Sequence, residues 1–210
     1  MKLDFIYNRH SVRKFKDQEI PKEDIKEILK AATYAPSGKN IQNWHFVVIQ
    51  SKEKINEIVK IIENKHDYLI NNCDDEELNA NFSKFLRYFT LFKNAPVLVM
   101  VFAGPYGASG LEVLQKANIS DQEINSILNK APGIQNIGAA VQNIQLAATA
   151  MGYGACWMTG PNFAAKEIED YINIDKNDYT LACLVPIGVP QGDLKSPKRK
   201  PLNEVVTFID

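Results

Sequence analysis

Two clusters of basic residues, near opposite ends of the chain, have the composition of a phosphate-binding site. In the first cluster Arg9, His10, Ser11, Arg13 and Lys14 lie within six positions. Two guanidinium groups and a hydroxyl can donate several charge-assisted hydrogen bonds to one phosphate. A basic stretch is also common in solvated surface turns, so this cluster alone leaves both interpretations open.

The second basic cluster is the segment 196–201, in which Lys198, Arg199 and Lys200 stand between two prolines. Proline restricts the backbone, which suits a loop held in one conformation. By itself this is a common composition for the end of a chain. The fold could, however, bring the two clusters together on one anion.

A polar loop in the segment 35–46 carries Ser37, Asn40 and Gln42 and leads directly into an apolar run. These side chains offer both hydrogen-bond donors and acceptors, as the polar edge of an aromatic heterocycle requires. The alternative is a turn that caps a helix, and both interpretations stay open for Ser37 and Asn40. For Trp44, at the end of the loop, we expect a place in the core.

Glycines are concentrated in the segment 152–161, where they would let the backbone approach a flat ligand closely. The alternative is that Gly152 and Gly154 end a helix and that a strand follows. Cys156 has no activating partner nearby in sequence, so we expect a small buried residue rather than a nucleophile.

The elements that must position these residues are predicted from hydrophobic spacing. Apolar residues at helical spacing predict helices within 21–34, 51–62, 74–93, 120–128 and 135–151. Short β-branched runs predict strands at 46–49, 97–102, 180–185 and 205–209, the first two of them buried. The stretch 104–120 is rich in glycine and is expected to be irregular. Helices and strands do not alternate regularly as they do in βαβ units. This favours a single α+β domain that spans residues 1–210.

The predicted helix 135–151 combines an apolar stripe from Ile137 to Met151 with many small residues on its remaining surface. Small residues allow another helix to approach closely. The sequence leaves open whether that helix belongs to the same chain or to a second one.

Bulk composition excludes several classes of protein. With 24 basic and 25 acidic residues in 210, the net charge of −1 gives no overall field for nucleic acid or an anionic membrane. Three widely spaced cysteines and three separated histidines suggest neither a disulfide framework nor a metal site. The N-terminus lacks the apolar run of a signal peptide, and no apolar run is long enough to span a bilayer. We therefore expect a cytoplasmic protein.

In their order along the chain, these pieces resemble the FMN-dependent nitroreductase family, and the resemblance covers essentially the whole sequence. It rests on the segments 9–15, 35–46, 152–157 and 197–206, with Gln142 and Asn143 on the helix between them. It implies a nitroreductase-like fold, with a central mostly antiparallel sheet flanked by helices, in an intertwined homodimer. It also implies FMN bound at the subunit interface.

The resemblance assigns roles to residues of all four segments. The ribityl phosphate would be held by residues of the two basic clusters: Arg9, His10, Ser11, Arg13, Lys198 and Arg199. The flavin ring or ribityl chain would meet residues of the polar loop, contributed by the second subunit: Pro36, Ser37, Asn40 and Gln42. Thr159 and Gly160 would lie near the isoalloxazine on its other side.

The implied activity is a ping-pong reaction, in which NAD(P)H gives a hydride to the flavin and a nitroaromatic or quinone acceptor then binds in the same place. The chemistry is the cofactor's, so no catalytic residue and no metal are expected. Alternatives are an FMN enzyme of the same fold dedicated to dehalogenation or flavin fragmentation, and a non-enzymatic flavin-binding protein. Nucleic-acid binding through the basic clusters is disfavoured by the net charge.

Two points stay open in this comparison with the family. Aromatic or apolar residues, Tyr88, Phe89 and Leu91 among them, stand where larger members carry polar groups beside the flavin. The group that polarises flavin N1 or O2 is therefore not identified. Substrate would enter along 104–133, where Tyr106 either lines the pocket or, as we favour, is an exposed loop residue.

Overall fold

A four-stranded antiparallel sheet forms the centre of the molecule. The computed structural model describes residues 3–107, 109–117, 119–176, 178–194 and 196–209. The strands are β1 (Trp44–Ile49), β2 (Val97–Ala103), β3 (Gly154–Ala155) and β4 (Thr180–Gly188). Their order across the sheet is β1-β2-β4-β3, which confirms the predicted α+β class and antiparallel sheet.

Helices flank the sheet on both faces. They are α1 (Asp4–Tyr7), α2 (Lys22–Thr33), α3 (Lys52–Asn71), α4 (Glu76–Phe89), α5 (Leu111–Lys116), α6 (Asp121–Leu128), α7 (Pro132–Ala150) and α8 (Ala165–Ile172). Short 3-10 turns cover Gly38–Asn40, Leu91–Asn94, Gly160–Ala164 and Leu202–Glu204. Two of these helices begin at serine caps, because Ser51 Oγ and Ser120 Oγ accept backbone N–H groups at the starts of α3 and α6.

The sheet divides most of the core into two halves. Successive side chains of β2 belong alternately to one half and to the other. Val97, Val99 and Val101 face α2 and α7, whereas Leu98 and Met100 face α3 and α8. Successive side chains of a strand point to opposite faces, so a strand covered on both faces must be apolar throughout. All seven residues of β2 are buried, as predicted.

β1 differs from the prediction of a buried strand. It lies at the edge of the sheet, and among the described residues β2 is its one pairing partner. Only Trp44 and Ile49, at its two ends, are buried, and Val48 is 37% exposed. An apolar run of this length cannot by itself distinguish an edge strand from a central one.

α7 is the central helix, and its apolar stripe confirms the prediction in large part. Ile137, Val141, Ile144 and Ala148 are buried, but the helix ends at Ala150 and Met151 lies exposed beyond it. The small residues of α7 allow a close helical neighbour, and in this structure that neighbour is α2 of the same chain. Asn143 Nδ2 of α7 donates a hydrogen bond of 3.1 Å to the Ala31 carbonyl of α2.

Two further predictions were wrong. Residues 111–116, expected to be irregular, form the short helix α5. The tail 205–209 does not pair as a strand, and it is exposed to solvent, with Phe208 86% and Ile209 93% exposed. β propensity in a short apolar run gives a strand only where a neighbouring strand can pair with it.

Candidate functional site

The first basic cluster lies in an extended segment that runs along the end of the sheet, not in a turn. Val12 N donates to the Ala155 carbonyl at 2.9 Å, and Lys16 N donates to the Val189 carbonyl at 2.9 Å. Gly154 makes this approach possible, because a Cβ there would collide with the side chain of Val12. The segment is therefore fixed by backbone pairing at both of its ends.

The fold brings the two basic clusters together. His10 Nδ1 lies 2.8 Å from Ser196 Oγ, a hydrogen bond between residues 186 positions apart. Lys198 and Arg199 follow immediately and are exposed. The convergence that the sequence left open therefore occurs within one chain.

The guanidinium groups of the first cluster are oriented by neighbouring oxygens. Arg9 Nη1 donates to Gln145 Oε1 at 3.4 Å, and Gln145 is a buried residue of α7, 4% exposed. Arg13 Nη1 donates to the Ser11 carbonyl at 3.3 Å. Arg13 remains exposed, so its other donors can reach an anion.

Cys156 lies beside both of these guanidinium groups. Burial raises the pKa of its thiol, while the positive charges of Arg13 and Arg9 act in the opposite direction. The thiol is buried and remains protonated at neutral pH, which confirms the prediction of a small buried residue.

An open cavity of about 390 Å³ begins at Arg13 and extends along the 3-10 turn that Gly160 opens. Its lining includes Thr159 and Gly160, and its remaining walls are largely aromatic. The cation and the aromatic side chains of the lining are Arg13, Phe85, Tyr88, Phe89 and Trp157. The stretch from Gly152 to Gly160 therefore adjoins the first basic cluster, at Val12 and at Arg13.

Trp157 packs against α7. Its ring lies against Gly138 of that helix, where a Cβ would stand 3.1 Å from Cη2. Position 138 therefore favours glycine, because an aromatic ring of the same chain covers it. Cys183 is buried, and burial raises the pKa of its thiol to about 12.

The polar loop that contains Pro36, Ser37, Asn40 and Gln42 lies apart from these residues. Ser37 Oγ accepts a hydrogen bond of 3.0 Å from Gln42 N, and Pro36 is exposed. Lys39, Asn40 and Gln42 have φ of 58°, 52° and 49°, a conformation that costs free energy for residues other than glycine. Such strain persists where surrounding contacts hold the backbone, and it is concentrated at functional sites.

A buried amide pair holds this loop, and the sequence analysis missed it. Asn136 Nδ2 of α7 donates to Asn43 Oδ1 at 2.9 Å, and Asn136 Oδ1 accepts from Gly38 N at 3.2 Å. Asn43 Nδ2 donates in turn to the carbonyls of Gly104 and Gly133, at 3.1 and 3.3 Å. The available signal was a polar residue, Asn136, directly beside the apolar stripe of a strongly predicted helix.

Tyr106 packs on the same loop and is not the exposed residue that we favoured. It is half-buried; its hydroxyl end lies over Gly38 and its Cβ lies over Gly133, where an added Cβ would come within 2.7 Å of it. The close approach of the tyrosine therefore favours glycine at position 133. Tyr106 also lines a separate cavity of about 270 Å³ beside the start of α7.

The loop and the basic clusters contact different parts of α7. Asn136 holds the loop and Gln145 contacts Arg9. Nine positions along a helix correspond to about 14 Å and to about two and a half turns. The two residues therefore face opposite sides of α7. Within one chain the structure thus brings together the two basic clusters and Thr159–Gly160, but not the polar loop.

In the described part of the chain, no group of three or more His, Cys, Asp or Glu residues is placed to hold a metal ion. Among the helices of the described residues, none is both long and apolar enough to cross a membrane.

Curated relatives align over nearly the whole chain. An oxygen-insensitive NADPH nitroreductase of Helicobacter acinonychis (strain Sheeba) is 26% identical over 204 residues, covering 96% of this chain and 93% of the relative. An iodotyrosine deiodinase of Hydra vulgaris is 30% identical over 211 residues, covering 96% of this chain and 70% of the relative.

Solved structures share the fold. A BluB-like flavoprotein from Clostridium difficile 630 is 40% identical, with a TM-score of 0.93 and coverage of 100% of this chain and 99% of that one. A nitroreductase with bound FMN from Desulfitobacterium hafniense DCB-2 has a TM-score of 0.71 at 22% identity, covering 99% and 97%, and shows the likeness of fold. Residues 6–189 match the model of the Nitroreductase family, and the chain belongs to that family.

Proposed function

We propose that this chain is an FMN-dependent NAD(P)H oxidoreductase that reduces nitroaromatic or quinone-type acceptors. The observation that carries the proposal is the hydrogen bond between His10 and Ser196, which joins two basic clusters beside an aromatic-lined cavity. Membership of the Nitroreductase family and the flavoprotein and FMN-bound structures of the same fold support the choice of cofactor.

The residues present fit a phosphate-bearing flavin. Arg13, Lys198 and Arg199 are exposed cations around the His10–Ser196 contact, and together they would neutralise a phosphate dianion. Arg9 and Ser11 would complete the phosphate site, the first from its position against Gln145. The donor set is cationic and hydroxylic, which suits phosphate and not a metal ion.

The adjoining cavity fits the flavin ring. Its walls carry Phe85, Phe89 and Trp157, and aromatic rings favour offset stacking on a flat heterocycle. Thr159 and Gly160 form the edge of the cavity beside Arg13, so a ring there would stay connected to the phosphate site. When bound, FMN would supply the hydride-transfer chemistry, and the protein would bind, orient and exclude water.

The proposed site is completed by a second copy of the chain. Pro36, Ser37, Asn40 and Gln42 are held on the opposite side of α7 from Arg9, so they would reach a flavin bound by the other subunit. A homodimer would also cover the exposed apolar tail around Phe208. An apolar groove of about 510 Å³ between α1, α2 and α7 would offer that tail a place. Burial of apolar surface on both partners drives association of this kind.

Reductive dehalogenation is a second candidate function. It is favoured by the relative named iodotyrosine deiodinase, which is 30% identical over 96% of this chain. A cavity lined by aromatic side chains would accept a halogenated phenol as readily as a nitroaromatic compound, because both are built on a flat aromatic ring.

An absorption spectrum of the purified protein, followed by anaerobic titration with NADH and NADPH, tests the proposal. We expect flavin bands at about one FMN per chain and bleaching by at least one nicotinamide. Turnover with a nitroaromatic, a quinone and a halogenated phenol then distinguishes the two candidate functions. A flavin that neither nicotinamide reduces would contradict the oxidoreductase proposal and favour a flavin-binding protein, whereas a protein without flavin would contradict both.

A further inference from the structure

Arg87 and Tyr88, neighbours near the end of α4, form a hydrogen-bonded pair at the proposed flavin cavity. Arg87 Nη2 donates to the phenolic oxygen of Tyr88 at 2.9 Å, and the guanidinium carbon lies 4.7 Å from the centre of the tyrosine ring. Tyr88 lines the cavity, together with Arg13 and Thr159. Tyr88 therefore stands on the α4 wall of the cavity that Arg13 of the first basic cluster also lines, and Arg87 contacts Tyr88 without lining the cavity itself.

The position of α4 is set by an aromatic layer and not by a buried face. Among its described residues none is fully buried. Instead Phe82 and Phe89 pack edge-on against Phe163, with ring centroids 5.2 and 5.1 Å apart, and Phe82 stacks on the buried His66. This layer fixes the turn of the helix that carries Tyr88, so the tyrosine is presented to the cavity from a supported element.

The chemistry of the pair follows from its donors and acceptors. A guanidinium group has no acceptor, so the phenolic hydrogen of Tyr88 cannot return to Arg87 and must be donated elsewhere. A cation that donates to the phenolic oxygen polarises the O–H bond and strengthens the hydrogen bond that it makes. The cavity therefore holds a hydroxyl donor that is backed by a positive charge.

Resting on the proposed function, we propose that Tyr88 donates its phenolic O–H to the flavin ring and stabilises the negative charge that the ring gains on two-electron reduction. Arg87 acts as a positioning residue, because its hydrogen bond to the phenolic oxygen orients and polarises Tyr88. The rest of the α4 wall, Phe85 and Phe89, contributes aromatic surface and no polar hydrogen. The pair thus raises the affinity of the protein for reduced FMN relative to oxidised FMN.

The midpoint potential of the bound flavin tests this inference in the purified holoprotein. We would compare the wild type with Tyr88→Phe, Arg87→Gln and the double variant, and measure the Kd for oxidised FMN in parallel. The matched control is Tyr68→Phe, because Tyr68 is also exposed and has Lys65 Nζ 5.4 Å from its ring centre, but lies on α3. Circular dichroism establishes that each variant is folded.

We expect Tyr88→Phe to bind oxidised FMN within about twofold of wild type and to lose about tenfold in relative affinity for reduced FMN. For a two-electron couple that loss corresponds to a midpoint potential about 30 mV more negative. Arg87→Gln should shift the potential in the same direction, and the double variant should shift no further than Tyr88→Phe, since Arg87 acts through Tyr88.

A wild-type potential in Tyr88→Phe, with FMN bound, would overturn the inference and leave the proposed function intact. Equal shifts in Tyr88→Phe and Tyr68→Phe would overturn it as well, because the cavity would then play no part. A wild-type protein that binds no FMN would instead contradict the proposed function, and this inference with it.

Discussion

His10 and Ser196 stand 186 positions apart in the sequence, and the Nδ1 and Oγ atoms of their side chains are 2.8 Å apart. This hydrogen bond attaches the C-terminal basic cluster to the N-terminal one. We predict that Ser196→Ala weakens FMN binding by about 0.5–1.5 kcal/mol, the usual net value of one hydrogen bond. Fluorescence titration of the apoprotein with FMN measures it, and Ser126→Ala, an exposed serine of α6, is the control. Equal affinities in both variants would contradict the role of this contact.

Arg13 and Arg199 contribute one guanidinium group from each basic cluster. Replacing either by alanine should weaken FMN binding by about 1.5–3 kcal/mol, because a charge-assisted hydrogen bond to the phosphate is lost. Riboflavin has no phosphate, so its affinity should change little in the same variants. Lys60→Ala, on the exposed face of α3, is the charge-matched control. Unchanged FMN retention in both arginine variants would show that the phosphate lies elsewhere.

Asn136 is the buried residue that holds the polar loop. Asn136→Ala leaves Asn43 Oδ1 and Gly38 N without their partner, and each lost bond should cost about 1–3 kcal/mol of unfolding free energy. Urea unfolding measures this loss. Faster tryptic cleavage after Lys39 should accompany it, since the strained loop is no longer held. Asn125→Ala is a surface control, and cleavage at the wild-type rate in Asn136→Ala would contradict the role of the pair.

Trp44 is 8% exposed at the start of β1 and packs in the half of the core that contains α2 and α7. Trp44→Ala should lower the unfolding free energy by about 3–5 kcal/mol, the cost of a large cavity. FMN affinity of the folded fraction should be retained, and Trp44→Phe should lose less stability. A variant with intact thermal stability and no flavin binding would show that Trp44 belongs to the site.

Cys183 makes stability depend on pH in the alkaline range. Burial raises the pKa of its thiol to about 12 in the folded protein, above the ordinary thiol value. Between about pH 9 and pH 12 the folded state therefore keeps a proton that the unfolded state has lost, so the free energy of unfolding falls as pH rises through this window. Urea unfolding of wild type and Cys183→Ala across the window measures it. The slope should be smaller in the variant; parallel curves would contradict the assignment.

Sequence by itself determined those features that depend on short stretches of the chain. Helical spacing predicted α2, α3 and α7, because one face of a helix must be apolar wherever it packs. The uninterrupted apolar run of β2 predicted a strand covered on both faces. Residue type alone identified the two basic clusters, since phosphate chemistry needs guanidinium and hydroxyl donors at close spacing.

Only the tertiary structure decided which of these features meet. The order of strands made β1 an edge and left the tail 205–209 unpaired, although their composition matches that of buried strands. The tertiary structure also joined His10 to Ser196 and buried Asn43 against Asn136. These polar contacts connect residues that are 186 and 93 positions apart. Local periodicity carries no information on such pairs, because they form only once the sheet and α7 have brought distant segments together.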